Sequence, residues 1–174
     1  TYAQSKGVDV LLWYNSNGNW NDAPQGPKHC LDSAPARQKE MAWMKTLGVK
    51  GIKVDFFGGD KQATMKLYED ILTDANQYGI AVVFHGCTLP RGWERMYPNH
   101  MSSEAALVSE NLVFGQYHAD KEAQRSTLYP FIRNAVSAMD FGGVFFNKHF
   151  SKDGVSGTLR KTTDAFQIAT SVLY

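Results

Sequence analysis

The sequence predicts an α/β fold, and more narrowly a partial (β/α) barrel of TIM type with about five parallel strands. Short apolar runs alternate with segments of helical period along the chain. The apolar runs are nearly continuous, which is typical of strands buried on both faces of a parallel sheet that helices cover. A doubly wound sheet fits this alternation as well as a barrel does.

Two observations favour the barrel. The loops that follow strands are long and polar, whereas the turns from helix to strand are short and contain Gly48 or Gly79. Polar residues also stand where strands are predicted to end, and catalytic residues collect at this rim of a barrel. A complete barrel takes ~200 residues or more, so the 174 residues predict a single-domain fragment, 1–174. The predicted rim residues are Asn15, Asp55, His85, Glu110 and Asn147.

The first half of the chain has clear element signals. Residues 8–14 are an apolar strand run, and a polar loop follows from Asn15 through Asp22 to Pro35. A helix over 35–47 begins at a proline and is stopped by a glycine. A strand over 52–56, a helix over 62–78 and a strand over 80–84 come next.

The second half is less regular. A long loop runs over 87–100, and a strand is predicted near Leu107. A helix over 121–140 contains Pro130, which belongs near its start or kinks it. A last strand over 143–146 and a polar loop precede the final helix over 162–174. That helix carries apolar residues at the spacing of one helical face, namely Ala165, Ile168, Ala169 and Val172.

Composition excludes several classes of function. The net charge of +1 gives no electrostatic reason to expect a nucleic acid or an anionic membrane surface as partner. No apolar run reaches the ~18 residues of a membrane-spanning helix, and the N-terminus lacks the apolar segment of a signal peptide. Cys30 and Cys87 match no zinc spacing and are expected to be free thiols, although one disulfide is an alternative.

The strand over 52–56 carries two charged residues. Lys53 and Asp55 are two positions apart and therefore share one face of the strand. A structural ion pair is one interpretation. The other is a catalytic carboxylate at a strand end, opening into the loop that contains Gly58 and Gly59.

Paired carboxylates make glycoside hydrolysis the leading chemistry. A retaining glycosidase places a nucleophile and an acid/base about 5–5.5 Å apart, and Asp55 and Glu110 suit these roles. Glu104 or Asp60 is an alternative partner. Glu104 and Glu110 also suit a hard cation such as calcium. Trp93 either stacks on a sugar or packs its own loop.

Several segments together resemble glycoside hydrolase family 97. They are residues 48–57 (GVKGIKVDFF), 90–99 (PRGWERMYPN), 103–104 (SE), 110–111 (EN) and 138–142 (AMDFG). The resemblance implies the middle of a catalytic (β/α)8 barrel, without the β domains that flank it in family members. Inverting members carry a glutamate base where this chain has Gly86 and lack an aspartate like Asp55. The chain is therefore similar to the retaining α-galactosidase branch.

The resemblance also implies roles for individual residues. Asp55 is the expected nucleophile and Glu110 the expected acid/base. Substrate contacts are expected from Lys53, His85, Asn15 and Trp93, and Glu104 is expected to bind calcium with help from a domain that this sequence lacks.

The implied substrate is an oligosaccharide with a terminal α-linked galactose, and the implied location is periplasmic or secreted. The rival hypotheses are an α-glucosidase of the same family, a non-catalytic half-barrel that associates with itself through open barrel edges, and an α/β module unrelated to sugars.

Overall fold

Strands and helices alternate in the first part of the protein. The structure, a computed structural model, describes residues 1–16 and 23–174, so most of the predicted loop over 15–22 lies outside the described residues. Contacts divide the chain into two compact units, Thr1–Ala105 and Ala106–Tyr174. Each unit is described by itself, and the single-domain assignment stays a prediction.

The first unit confirms the predicted order of elements. Helix 62–78 has the predicted bounds because Gly79 adopts a left-handed conformation, with φ 69°, and stops it. The short helix at the N-terminus was not predicted. The elements are α1 (Tyr2–Ser5), β1 (Leu11–Asn15), α2 (Ala34–Thr46), β2 (Gly51–Asp55), α3 (Gln62–Tyr78), β3 (Ala81–Phe84) and β4 (His100–Ser103), with a 3₁₀ helix at Trp93–Arg95.

The four strands form one parallel sheet in the order β1-β2-β3-β4. In the pairing of β1 with β2, Trp13 lies beside Lys53 and Asn15 beside Asp55. Partners in a parallel ladder point to the same face, so these four side chains share one face of the sheet.

The other face of the sheet packs against α2 and α3. Ile52 and Val54 of β2 are fully buried there, as is Phe84 of β3. Met41 and Met44 of α2 belong to the same core. This burial places the apolar positions of β2 and β3 towards the helices, and Asp55 lies on the opposite face of the sheet.

The second unit has a smaller core. Its apolar centre is Val108, Met139 and Phe141, and the ring of Tyr174 stacks on Phe141 with centroids 4.2 Å apart. Its elements are a 3₁₀ helix (Ser109–Phe114), α4 (Gln116–Ile132), β5 (His149–Phe150), β6 (Thr158–Leu159) and α5 (Asp164–Leu173).

Three predictions for the second half were wrong. The strand expected near Leu107 is instead β4, at His100–Ser103, and a 3₁₀ helix begins at Ser109. The run over 143–146 forms no strand, since the short β5 and β6 pair antiparallel further along the chain. The helix expected over 121–140 is α4, which begins and ends several residues earlier. The described parallel sheet therefore has four strands rather than about five.

The cysteines and the helix lengths bear on the expectations from composition. Cys30 and Cys87 are free thiols. None of the described helices combines the length and apolar character needed to cross a bilayer.

Candidate active site

Four polar residues lie at the carboxyl ends of the four parallel strands. Asn15 and Asp55 end β1 and β2, whereas His85 and Glu104 come directly after β3 and β4. Their exposed fractions are 0%, 7%, 6% and 7%, respectively. Burial of this many polar side chains is costly unless each finds partners, so the contacts among them define the candidate site.

Asp55 is surrounded by hydrogen-bond donors. Its Oδ1 accepts a hydrogen bond from the Phe56 backbone N–H at 2.7 Å. Its Oδ2 accepts one from the Trp13 indole N–H at 3.1 Å and lies 3.3 Å from His85 Nδ1. Burial by itself raises the pKa of Asp55, but the hydrogen bond and charge of His85 and the two N–H donors outweigh it, so the pKa is lowered. Asp55 is therefore an ionised, buried carboxylate.

His85 connects two carboxylates. Its Nδ1 faces Asp55, and its Nε2 lies 3.5 Å from Glu104 Oε1. Burial by itself lowers the pKa of His85. The hydrogen bond to Asp55 and the charge of Glu104 raise this pKa by more than burial lowers it, so the net shift is upward. The charge of Lys53 opposes this shift. The imidazolium form is thus favoured by the two acids on either side.

Glu104 also fixes the backbone beside the site. Its Oε2 accepts a hydrogen bond from the Gly86 N–H at 2.8 Å, and the Gly86 carbonyl accepts one from the Phe57 N–H at 3.0 Å. Gly86 has φ 48°, in the left-handed region. The turn after β3 therefore links Glu104 to the backbone that follows Asp55.

The backbone after Asp55 is strained. Phe56 has φ 64°, a conformation that costs an L-residue with a bulky side chain roughly 1–2 kcal/mol. Ser16 holds this turn, because its backbone N–H donates to the Asp55 carbonyl at 2.8 Å and its hydroxyl donates to the Phe56 carbonyl at 2.9 Å. The strained turn directs the Phe56 N–H onto Asp55 Oδ1.

Two predicted substrate contacts need correction. Trp93 is only 1% exposed and stacks on Tyr68 with centroids 4.7 Å apart, so its ring is part of the core and offers no face to a sugar. Asn15 is fully buried, and its side-chain amide donates to the Gln25 carbonyl at 3.1 Å. Asn15 therefore binds the backbone at Gln25 rather than presenting its amide at the surface.

The other predicted residues divide between the two units. The structure brings Asp55, Lys53, His85 and Glu104 to one face and one end of the sheet in the first unit. Glu110 belongs to the second unit, in the first turn of its 3₁₀ helix, and is partly exposed. It does not end a strand, which corrects the rim position expected for it; Glu104 holds the position after β4. Asn147, also expected to end a strand, follows none.

Sequence reasoning missed Trp13 as a site residue. Trp13 is two positions before Asn15 in β1 and therefore shares its face, a signal that the alternation of the strand already contained. Its partner in β2 depends on the register between strands, which the sequence does not specify.

Comparisons with known proteins agree with a glycosidase. The family description of glycoside hydrolase 97 matches residues 1–106. The chain is 30% identical over its whole length to a probable retaining alpha-galactosidase of Streptomyces bingchenggensis, of which it covers 23%. Over 80% of its length it is 26% identical to a retaining alpha-galactosidase of Bacteroides thetaiotaomicron, of which it covers 19%. The chain thus spans about a quarter or less of these relatives.

The chain also resembles solved structures. A crystal structure of a beta-arabinopyranosidase superposes with a TM-score of 0.93 at 60% identity, and the match covers 99% of this chain and 27% of that one. A glycoside hydrolase family 97 enzyme from Pseudoalteromonas sp. strain K8, in complex with panose, has a TM-score of 0.77 at 19% identity, with the same coverage. The latter likeness supports the fold alone.

The four-stranded parallel sheet and its helices define the class, an α/β fold that is part of a (β/α) barrel. With more than half of the chain matched by the family description, it belongs to glycoside hydrolase family 97.

The contact between His85 and Asp55 predicts a pH effect. In His85→Gln the positive charge is lost while burial remains, so the pKa of Asp55 is expected to be higher in the variant than in the unmodified protein. A carboxyl with a lowered pKa is active above that pKa and loses activity as the pH falls through it. The acid limb of kcat/KM should therefore lie at a higher pH in the variant than in the unmodified protein.

The measurement is a pH profile of kcat/KM for both proteins and for His118→Gln, a histidine substitution in the second unit. His118→Gln should leave the acid limb unchanged. An unchanged limb in His85→Gln would contradict the electrostatic role of His85.

Proposed function

We propose that this chain carries the nucleophile of a retaining glycosidase that acts on axial glycosides of galacto configuration. The preferred substrates are β-L-arabinopyranosides, followed by α-D-galactosides. The observation that carries this proposal is the environment of Asp55, a buried carboxylate that three donors keep ionised. An ionised carboxylate at the carboxyl end of a barrel strand suits nucleophilic attack on an anomeric carbon.

The choice of sugars rests on the relatives and on stereochemistry. L-arabinopyranose and D-galactopyranose carry their ring hydroxyl groups in the same configuration, and arabinose lacks the exocyclic hydroxymethyl group. The β-L anomer of one corresponds to the α-D anomer of the other. The beta-arabinopyranosidase is the more similar relative, at 60% identity, whereas the alpha-galactosidase of Streptomyces is 30% identical, which supports arabinopyranosides as the preferred substrates.

The proposed reaction has two displacements. Asp55 bonds to the anomeric carbon while Glu110 protonates the departing oxygen, and Glu110 then takes a proton from the water that releases the sugar. Lys53 and His85 share the face of Asp55, and we propose that they contact sugar hydroxyl groups. The first step leaves Asp55 esterified and Glu110 ionised, and the second step restores the Asp55 carboxylate and the proton of Glu110.

Glu104 is the proposed calcium ligand. A carboxylate oxygen is the donor type that calcium prefers, but calcium takes six to eight oxygens, so Glu104 fits as one ligand and does not make a site by itself. One of its oxygens already accepts the Gly86 N–H. When bound, calcium would supply an oxygen-seeking positive charge beside the sugar.

The test compares three synthetic aryl glycosides with the full-length protein that carries this chain. We expect kcat/KM to be about tenfold higher for the β-L-arabinopyranoside than for the α-D-galactoside, a factor typical of discrimination by a single carbon group. The α-D-glucoside carries its C4 hydroxyl in the equatorial rather than the axial position, and it should be the poorest substrate. Each assay is repeated after a chelator has removed calcium. A fall in kcat/KM that added calcium reverses would support Glu104 as a calcium ligand.

The anomer formed first, followed by NMR, should retain the substrate configuration. An inverted product would contradict the retaining mechanism. A preference for the glucoside would favour an α-glucosidase, and no turnover of any substrate would favour a non-catalytic protein that associates through its sheet edges. Cell fractionation tests the periplasmic or secreted location that we propose from the family resemblance.

A further inference from the structure

The two carboxylate oxygens of Asp55 have different surroundings. Oδ1 is enclosed by backbone: it accepts the Phe56 N–H at 2.7 Å, and a Cβ added to Gly86 would lie only 2.6 Å from it. Oδ2 instead contacts side chains of the sheet face, namely the Trp13 indole N–H at 3.1 Å and His85 Nδ1 at 3.3 Å. Oδ2 is thus the oxygen that faces the side chains on the sheet surface.

The Trp13 ring is packed into a fixed orientation. It meets the Phe56 ring edge to face, with centroids 5.8 Å apart. Gly26 lies close enough that a Cβ there would be 3.3 Å from Trp13 Cζ3. The side chain nevertheless stays 40% exposed. Packing against a loop and an aromatic ring thus aims the indole N–H at Asp55 while part of the ring remains open.

We infer that Asp55 Oδ2 is the oxygen that bonds to the anomeric carbon and that Trp13 is a positioning residue that accelerates release of the sugar from it. This inference rests on the proposed function. In the first displacement the Oδ2–carbon bond forms, and the bond from that carbon to the leaving oxygen breaks as the oxygen takes a proton from the acid. Oδ1 becomes the ester carbonyl oxygen and keeps the Phe56 N–H.

In the second displacement a water oxygen bonds to the anomeric carbon and gives its proton to the base. The Oδ2–carbon bond breaks, and its electron pair returns to Oδ2. Negative charge therefore leaves Oδ2 in the first step and reappears there in the second.

The strength of the indole hydrogen bond changes with the charge on Oδ2. A hydrogen bond to an ionised acceptor is stronger than one to a neutral acceptor, so the Trp13 N–H binds Oδ2 most strongly in the free carboxylate and most weakly in the ester. In the first step it stabilises the reactant, which gives no acceleration. In the second step it stabilises the charge that develops in the transition state, which lowers the barrier.

Trp13→Phe tests this inference, because it keeps an aromatic ring and removes the donor. The substrate is an aryl β-L-arabinopyranoside with a good leaving group, so that the second step limits turnover. We expect kcat to fall about tenfold, the effect of one hydrogen bond to a charged group. KM should fall by at least a similar factor, so kcat/KM should be unchanged or modestly higher, because loss of this bond destabilises the reactant carboxylate of the first step more than its transition state.

Acid-quenched samples analysed by intact mass should show more glycosyl-enzyme at steady state in Trp13→Phe than in the unmodified enzyme. Trp43→Phe is the matched control: Trp43 is on α2 and 48% exposed, and this variant should leave kcat, KM and the glycosyl-enzyme fraction unchanged. A merely structural role for Trp13 would instead lower kcat/KM together with kcat.

The inference is overturned if kcat/KM falls in proportion to kcat and no glycosyl-enzyme accumulates. If Trp13→Phe does not fold, Trp13 is replaced by the analogue in which sulfur takes the place of the indole N–H, which keeps the ring shape and yields the same comparison. Absence of any glycosyl-enzyme in the unmodified protein is a different result, and it overturns the proposed function as well.

Discussion

Replacing Asp55 by glycine is expected to abolish hydrolysis, with kcat falling at least about a thousandfold, as when other enzymes lose a covalent nucleophile. The substitution removes the carboxylate but leaves the donors that surround it, the Trp13 indole N–H, the Phe56 N–H and His85. These donors remain arranged around an anion-sized space. Added azide should therefore bind there and attack the anomeric carbon directly.

The product of azide rescue identifies the role of Asp55. A single displacement inverts configuration, so the rescued reaction should give a glycosyl azide of the opposite anomeric configuration, which NMR detects. Asp60→Gly is the contrasting variant, because Asp60 is an exposed carboxylate in the loop that follows β2, and it should retain near-normal turnover. Near-normal hydrolysis by Asp55→Gly, or loss of activity in Asp60→Gly instead, would contradict the assignment.

Much of the first unit could be predicted because its local signals agree with its tertiary structure. Helix α3 has an apolar face and a glycine that can adopt the left-handed conformation at its end, and both of its bounds were predicted correctly. The period-2 alternation of β2 placed Lys53 and Asp55 on one face, and the register of the sheet confirms that this face is opposite the helix-packed core. Local pattern and global fold agree there.

The second unit shows where such reasoning ends. The apolar run over 143–146 has the composition of a strand. Its Phe145 N–H nevertheless donates a hydrogen bond to the Gln167 side chain at 3.3 Å rather than to a neighbouring strand. Strand formation depends on a partner edge, which composition does not reveal. His100–Ser103 is the converse case, since its sequence is not apolar but β3 supplies an edge with which it pairs.

The candidate site was predictable by residue type but not by contact. Asp55 and His85 were identified because each stands at a strand end. The contact of Trp13 with Asp55 joins residues 42 positions apart and depends on how β1 and β2 are aligned. Register of this kind is set by packing of the whole sheet, so the donors that keep Asp55 ionised could be found only in the structure.

Gly86→Ala is expected to lower kcat/KM by about a hundredfold, the cost of displacing a catalytic group by roughly 1 Å. Gly86 has φ 48°, and an alanine Cβ there would lie 2.6 Å from Asp55 Oδ1 and 3.0 Å from the Phe56 backbone nitrogen. The contact with Oδ1 is too short to exist without movement, and the contact with the Phe56 nitrogen is tight in a strained turn that has little freedom to adjust. The Asp55 carboxylate must therefore move away from the donors that orient it.

Gly79→Ala is the control that separates the effect of the contact with Asp55 from the effect of backbone strain. Gly79 has φ 69°, and a Cβ there would meet nothing within 4 Å, so its alanine variant should lose about 1 kcal/mol of stability with kcat/KM unchanged. Thermal unfolding and steady-state kinetics of both variants provide the comparison. Normal kcat/KM in a folded Gly86→Ala protein would contradict the argument. A side chain at position 86 and the carboxylate of Asp55 compete for one space, which gives a physical reason why a glutamate base at this position and an aspartate nucleophile on β2 should exclude each other.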